Sequence, residues 1–189
     1  MPMADRGRLA VFIDRDDTIN KDVPYCARPE DFVLLPTAAE AIRLLNQALV
    51  PVIVVTNQSG IGRGYFDETT LSRIHDKMRS DLAAHGAKVA AVYHCPHTPD
   101  AGCNCRKPKI GMALVAAKEH ALHLPSCYMI GDRVSDLRFG RAMGATTVVV
   151  PSIRGGQELA ESGEKPDHLA SDALDAVNWI LRKINAQAK

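Results

Sequence analysis

The chain has 189 residues, with 46% hydrophobic and 24% charged side chains and a formal net charge of +1. This suits one globular domain spanning residues 1–189 with a sizeable core, and it argues against a broad basic surface for nucleic acid. No stretch is long and apolar enough to cross a bilayer, and Met1 to Arg8 lacks a signal-peptide core, so a cytoplasmic monomer with no membrane or nucleic-acid partner is expected.

Apolar runs alternate with helical periodicity, which predicts an α/β fold: a Rossmann-like open parallel sheet with helices on both faces. Leu9 to Ile13 reads as the first strand, followed by a long loop to Pro36. Thr37 and Glu40 have capping-box spacing ahead of a helix whose apolar face carries Ala41, Leu44, Leu45 and Leu49. Pro51 ends it. Val52 to Val55 is apolar at every position, as expected of a strand covered on both sides.

A Gly-rich loop, Gln58 to Gly64, precedes a helix with the stripe Leu71, Ile74, Met78 and Leu82. Its glycine spacing is not that of a dinucleotide fingerprint, and no Walker loop is present. Val89 to Tyr93 is the expected third strand, followed by a Cys/His loop and a helix from near Gly111. Cys127 to Ile130 is the fourth strand, Val134 to Met143 a helix stopped by Gly144, and Thr146 to Val150 the fifth strand. Arg154 to Asp167 reads as a polar stretch. An amphipathic helix with Leu174, Val177, Ile180, Leu181 and Ile184 closes the chain and should pack on the sheet.

Chemistry-bearing residues follow four of these strands. Asp14 and Asp16 follow the first, Thr56-Asn57-Gln58-Ser59 the second, Arg106-Lys107 the third and Gly131-Asp132-Arg133 the fourth. A parallel sheet gathers the C-terminal ends of its strands along one edge, where ligands bind. The gathered set has acids for a metal, a hydroxyl and N–H groups for phosphate oxygens, and a lysine for the remaining charge. Those parts suit phosphoryl transfer. Cys95, His97, Cys103 and Cys105 would make a Cys₃His tetrahedron of the kind that holds structural zinc. His94 is the competing ligand, expected to point away, and free thiols are the alternative reading.

Phe12-Ile13-Asp14-Arg15-Asp16, Thr56-Asn57-Gln58-Ser59-Gly60-Ile61, Cys105-Arg106-Lys107-Pro108 and Ile130-Gly131-Asp132 resemble the haloacid dehalogenase superfamily of phosphatases. Within it they resemble the branch of D,D-heptose 1,7-bisphosphate and histidinol phosphatases. The resemblance covers about Leu9 to Val150, includes the Cys/His loop and so implies structural Zn²⁺ there.

It also implies roles. Asp14 would be the nucleophile and a Mg²⁺ ligand, and Asp132 a second ligand. Asp16 would be the acid and base, reaching Mg²⁺ through its backbone carbonyl. Thr56 and Lys107 would hold the phosphoryl group. Arg106 would recognise substrate with Asp22, Tyr25, Asn57, Gln58, Ser59 and Arg133, and Asp136 would support the metal. An acid must be protonated to help a leaving group, so the surroundings of Asp16 should raise its pKa. Asp17 stands where the superfamily usually has Gly at a turn; Asp tolerates left-handed backbone better than most residues.

The intervals between these segments leave no room for a cap domain. Selectivity should come from loops, with Arg63, Arg106, Lys109 and Arg133 around the substrate. D-glycero-D-manno-heptose 1,7-bisphosphate, losing its C7 phosphate, is the expected substrate. Histidinol phosphate is the alternative, with Asp17 or Asp22 facing its cationic groups. An inactive zinc-stapled binding protein ranks lower.

Overall fold

The computed structural model describes residues 8–21 and 23–187. Asp22, an expected substrate contact, lies outside the described residues, as does most of the stretch expected to lack a signal-peptide core. The strands are β1 (Val11–Ile13), β2 (Val52–Asn57), β3 (Ala91–Cys95), β4 (Tyr128–Gly131), β5 (Thr146–Val149) and β6 (His168–Leu169). The helices are α1 (Ala38–Gln47), α2 (Ser59–Gly62), α3 (Glu68–Ala84), α4 (Gly111–His120), α5 (Val134–Ala142), α6 (Ile153–Ser162) and α7 (Ala173–Gln187).

All strand pairs are parallel, in the order β3-β2-β1-β4-β5-β6. Side chains alternate between the faces of a strand. Val11 and Ile13 therefore enter one core with residues of α1, α3 and α7, while Phe12 enters another with α4 and α5. Phe12 meets Phe139 edge to face at a 6.4 Å centroid distance. Burying one side chain of this size contributes about 1.5–3 kcal/mol. Two-sided burial is why these strands are apolar at successive positions.

Three expectations change. Thr37 does not cap α1: its backbone is already helical, at φ −95° and ψ −10°, so its hydroxyl is not aimed at the first N–H groups. Glu40 pairs instead with Arg43 at 2.7 Å. The third strand lies two residues later than expected and carries His94 and Cys95 within it. The polar stretch after β5 contains α6, capped by Ser152, whose side chain accepts from Gly155 N–H at 3.0 Å, and it leads into a sixth strand. Gly155 and Gly156 weaken the helix signal there.

Among the described residues, no second folded unit covers the C-terminal edge of the sheet, and no helix is long and apolar enough to cross a membrane. Strand order reverses direction between β1 and β4, which pair side by side. Such a switch point leaves a crevice at the strand ends. Asp14 and Asp132 emerge there.

Candidate active site

Asp14 leaves β1 with its N–H donating to the Ile130 carbonyl at 2.9 Å, so β4 fixes where its side chain begins. Lys107 Nζ lies 2.6 Å from Asp14 Oδ1 and 2.6 Å from Asp136 Oδ1, and donates to the Val55 carbonyl at 2.8 Å. Asn57 clamps the Lys107 backbone from β2. Its amide donates to the Lys107 carbonyl at 3.2 Å and accepts from the Lys107 N–H at 3.0 Å.

Asp136, in the first turn of α5, accepts from Arg133 N–H at 3.0 Å. A Cβ on Gly131 would lie 2.4 Å from that of Asp136, so only glycine lets this carboxylate fold back over β4. Asp132 accepts from Ser152 Oγ at 2.6 Å. Gly155 serves the same contact, since a Cβ there would sit 1.9 Å from the Asp132 carbonyl oxygen.

Asp14, Asp132 and Asp136 offer oxygens within 4.8 Å of one another. Burial pushes Asp14 up to about 7, with Asp136 and Asp16 adding repulsion against the pull of Lys107. Burial, then Asp14 and Asp136, pushes Asp132 up to about 8. Burial would lower Lys107, but the two carboxylates outweigh it and raise its pKa. Ionised together, these three buried acids would outnumber the one lysine charge. A hard divalent cation with oxygen ligands fits that deficit.

Asp16 departs from expectation. Burial, the largest single influence, would raise it, but the Arg15 charge and hydrogen bonds from Arg15, Asn20 and Gln58 outweigh burial and hold its carboxyl below the ordinary carboxylate range. Arg15 donates from Nη2 at 2.8 and 3.1 Å and from Nε at 3.1 Å; Asn20 and Gln58 donate at 3.1 and 2.8 Å. The Gln58 amide also donates to Thr56 Oγ1 at 2.7 Å, so its side chain orders two site residues. Asp17 adopts φ +55°, a left-handed backbone that Asp tolerates better than most residues.

A cleft of about 590 Å³ opens over these groups. Asp14, Asp16, Thr56, Asn57, Ser59, Lys107 and Asp132 line it, with Tyr25, Arg63, Arg106 and Arg133 around them. Lys109 instead donates to the Gly102 and Cys103 carbonyls at 3.2 and 2.8 Å. Arg154 of α6 lines the cleft in addition.

The Cys/His loop gathers Cys95 Sγ, His97 Nδ1, Cys103 Sγ and Cys105 Sγ, with neighbouring ligand atoms 3.1–3.6 Å apart. Such spacing fits four ligands around one ion. His94 points away, its Nε2 lying 2.8 Å from Glu68. The loop also holds neighbouring segments: Gln58 N–H donates to the Cys95 carbonyl at 2.7 Å and Arg106 Nη1 to the His97 carbonyl at 3.3 Å.

Residues 104–176 match the HAD-hydrolase-like family. The D-glycero-β-D-manno-heptose-1,7-bisphosphate 7-phosphatase of Pseudomonas putida is 39% identical over 168 residues, which is 88% of this chain and 95% of the relative. The chain belongs to the haloacid dehalogenase-like phosphatases. The crystal structure of D,D-heptose 1,7-bisphosphate phosphatase from B. bronchiseptica, complexed with magnesium and phosphate, matches this phosphatase with a TM-score of 0.87 and 35% identity, over 93% of this chain and 99% of that one. A Thermoplasma volcanium protein named probable D-glycero-D-manno-heptose-1,7-bisphosphate 7-phosphatase is 43% identical over 123 residues, 65% of this chain and 84% of the relative.

Several side chains of this phosphatase's site escaped the sequence reading. Ser152 carries a readable signal, a helix-capping residue type just past β5, whereas Arg154 falls within the stretch read as polar. Glu158, which holds Arg133 through Nε at 2.9 Å, lies on the same helix. Arg15 and His75 had none, because their contact joins residues 60 apart.

Proposed function

We propose that this phosphatase, acting as one domain, removes the C7 phosphate of D-glycero-D-manno-heptose 1,7-bisphosphate through an aspartyl-phosphate on Asp14. The observation that carries the reading is the convergence of Asp14, Thr56, Lys107 and Asp132 on one cleft at the switch point of the sheet. An Asp14 oxygen attacks phosphorus while the bond to the sugar oxygen breaks, and a proton from the Asp16 carboxyl goes to that oxygen. In the second half, Asp16 takes a proton from a water that attacks phosphorus, freeing Asp14 and releasing phosphate. Asp14, Asp132 and the Asp16 backbone carbonyl would hold Mg²⁺, which supplies charge neutralisation for the phosphoryl oxygens. Lys107 and Thr56 hold those oxygens, while Asp136 keeps Lys107 and the metal-side loop in place. The ionised state of Asp16 in the free site suits the base step. For the acid step, an arriving phosphate dianion adds like charge beside it and raises its pKa.

Burial of the acids makes Mg²⁺ binding pH-dependent. Asp14 and Asp132 lie at about 7 and 8 without metal and must lose their protons to bind it. Mg²⁺ affinity should therefore rise from pH 6 to pH 9, with protons released on binding near pH 7. In the metal-free protein both acids are raised above their unfolded values, so the folded state holds more protons and stability falls as pH rises through 4 to 8. Calorimetry in two buffers of different ionisation heat measures the release. A pH-independent Mg²⁺ affinity would show that the acids are already ionised.

Substrate choice follows from the cleft wall. Arg63, Arg106, Arg133 and Arg154 face it, against Glu158 among the outer acids. That balance suits a second phosphate and disfavours the cationic groups of histidinol phosphate. A side-by-side assay should give the heptose bisphosphate the higher kcat/KM by at least about tenfold, as one charge-assisted contact sustains. Preference for histidinol phosphate would overturn the assignment.

Cys95, His97, Cys103 and Cys105 hold a structural Zn²⁺ in this reading, with four protein ligands leaving no place for a reactive water. The ion braces the loop that ends in Arg106 and Lys107. Elemental analysis of freshly purified protein should find about one zinc per chain. Cys105→Ser should lose it, raising KM and lowering kcat together. Full activity in a zinc-free variant would refute the bracing role.

A further inference from the structure

Arg15, which stands in sequence between the two carboxylates assigned to chemistry, is fully buried at 0% exposure. A guanidinium has only donors, and one kept from water needs an acceptor on each edge. Nε and Nη2 are met by Asp16. Nη1 faces His75 Nε2, 3.5 Å away on α3. Because Arg15 cannot accept, Nε2 must present its lone pair and the imidazole proton must sit on Nδ1. His75 is itself only 5% exposed. Burial and the Arg15 charge push its pKa down to about 3, so the ring is a neutral acceptor. Its ring centroid lies 5.9 Å from that of His94, whose own partner is Glu68.

We propose that His75 is a positioning residue for Asp16, acting through the Arg15 guanidinium. This rests on the phosphatase roles given above. The Arg15 backbone is already pinned, since its carbonyl accepts from Ile19 and Asn20 N–H at 2.7 and 3.0 Å. The remaining freedom is in the side chain, and His75 holds its far edge. Without that acceptor the buried Nη1 turns to find another partner, and the fork on Asp16 turns with it. Asn20 and Gln58 still hold Asp16, so the carboxylate is misaimed rather than released. Both proton transfers suffer, whereas the attack of Asp14 does not.

Leaving groups separate these steps. An alkyl phosphate needs a proton on its departing oxygen; p-nitrophenolate departs without one. His75→Leu, which keeps volume but lacks an acceptor, should lower kcat on the heptose bisphosphate about 10- to 100-fold, part of what a general acid supplies, with KM within about twofold. The first-turnover burst of p-nitrophenolate, followed by rapid mixing, should stay within about threefold of wild type. His75→Gln places an amide oxygen near the Nε2 position and should restore most of kcat. An equal loss in the p-nitrophenolate burst rate, an unchanged kcat in His75→Leu, or no rescue by a folded His75→Gln would overturn the proposal. Nitrogen NMR of the wild-type imidazole gives a check that needs no variant: a neutral Nδ1–H tautomer is expected, and an Nε2–H tautomer would rule out the contact. Wild-type turnover of either ester keeps failure of the phosphatase reading apart from failure of this one.

Discussion

Asp14→Asn is expected to lower phosphate release at least about 10,000-fold, because the amide that replaces the carboxylate has no oxygen nucleophilic enough to attack phosphorus. Shape is preserved, and the amide oxygen can still accept from Lys107, which lies 2.6 Å from Asp14 Oδ1. Loss of activity should therefore come without loss of fold. The electrostatics point the same way. Burial disfavours the Asp14 anion, and its charge is one cause of the raised Asp132. Removing that charge relieves both, so the metal-free variant should melt no lower than wild type above pH 7. Phosphate release and thermal unfolding, measured together, test both halves. A variant retaining more than about 1% of turnover would show that another group attacks phosphorus.

Lys107→Met should cost about 1,000-fold in kcat/KM, close to 4 kcal/mol of transition-state stabilisation. Methionine fills a similar volume but leaves Asp14 and Asp136 without their shared cation. Removing one member of a buried ion pair costs about 3–5 kcal/mol of stability. Here the cost should fall at the low end near neutral pH, because Asp14, already at about 7, takes up a proton instead. The cost should grow as pH rises and that proton is lost. Denaturant midpoints at pH 6 and pH 8.5 would read this difference. Combining Lys107→Met with Asp14→Asn should destabilise less than Lys107→Met alone, since the amide leaves no Asp14 charge to be stranded. Simple additivity would mean that the 2.6 Å contact contributes little.

Much of the site could be read before folding was considered. Asp14 and Asp132 directly follow apolar strands, Thr56 lies near the end of another and Lys107 lies past the loop after β3; a parallel sheet brings its strand ends to one edge. The setting of Asp16 could not be read the same way. Its acid role implied a raised pKa, but Arg15 beside it and Gln58, 42 residues away, reverse the sign in the free site. The residue types were visible, whereas the direction of the Arg15 fork depends on α3. Arg154 and Lys109 show the same limit. Both are cations near catalytic segments, yet backbone carbonyls of the Cys/His loop draw Lys109 away while α6 brings Arg154 to the cleft.

Read alone, the chain determined the alternation of strands and helices, the polar residues at strand ends and the four candidate zinc ligands. These follow from local periodicity, turn chemistry and ligand spacing, which act over a few residues. Only the tertiary structure decided that β1 and β4 lie side by side, that Lys107 bridges Asp14 and Asp136, and that His75 meets Arg15. Those outcomes rest on which surfaces bury one another across long stretches of chain, and on the dielectric that burial creates around each charge.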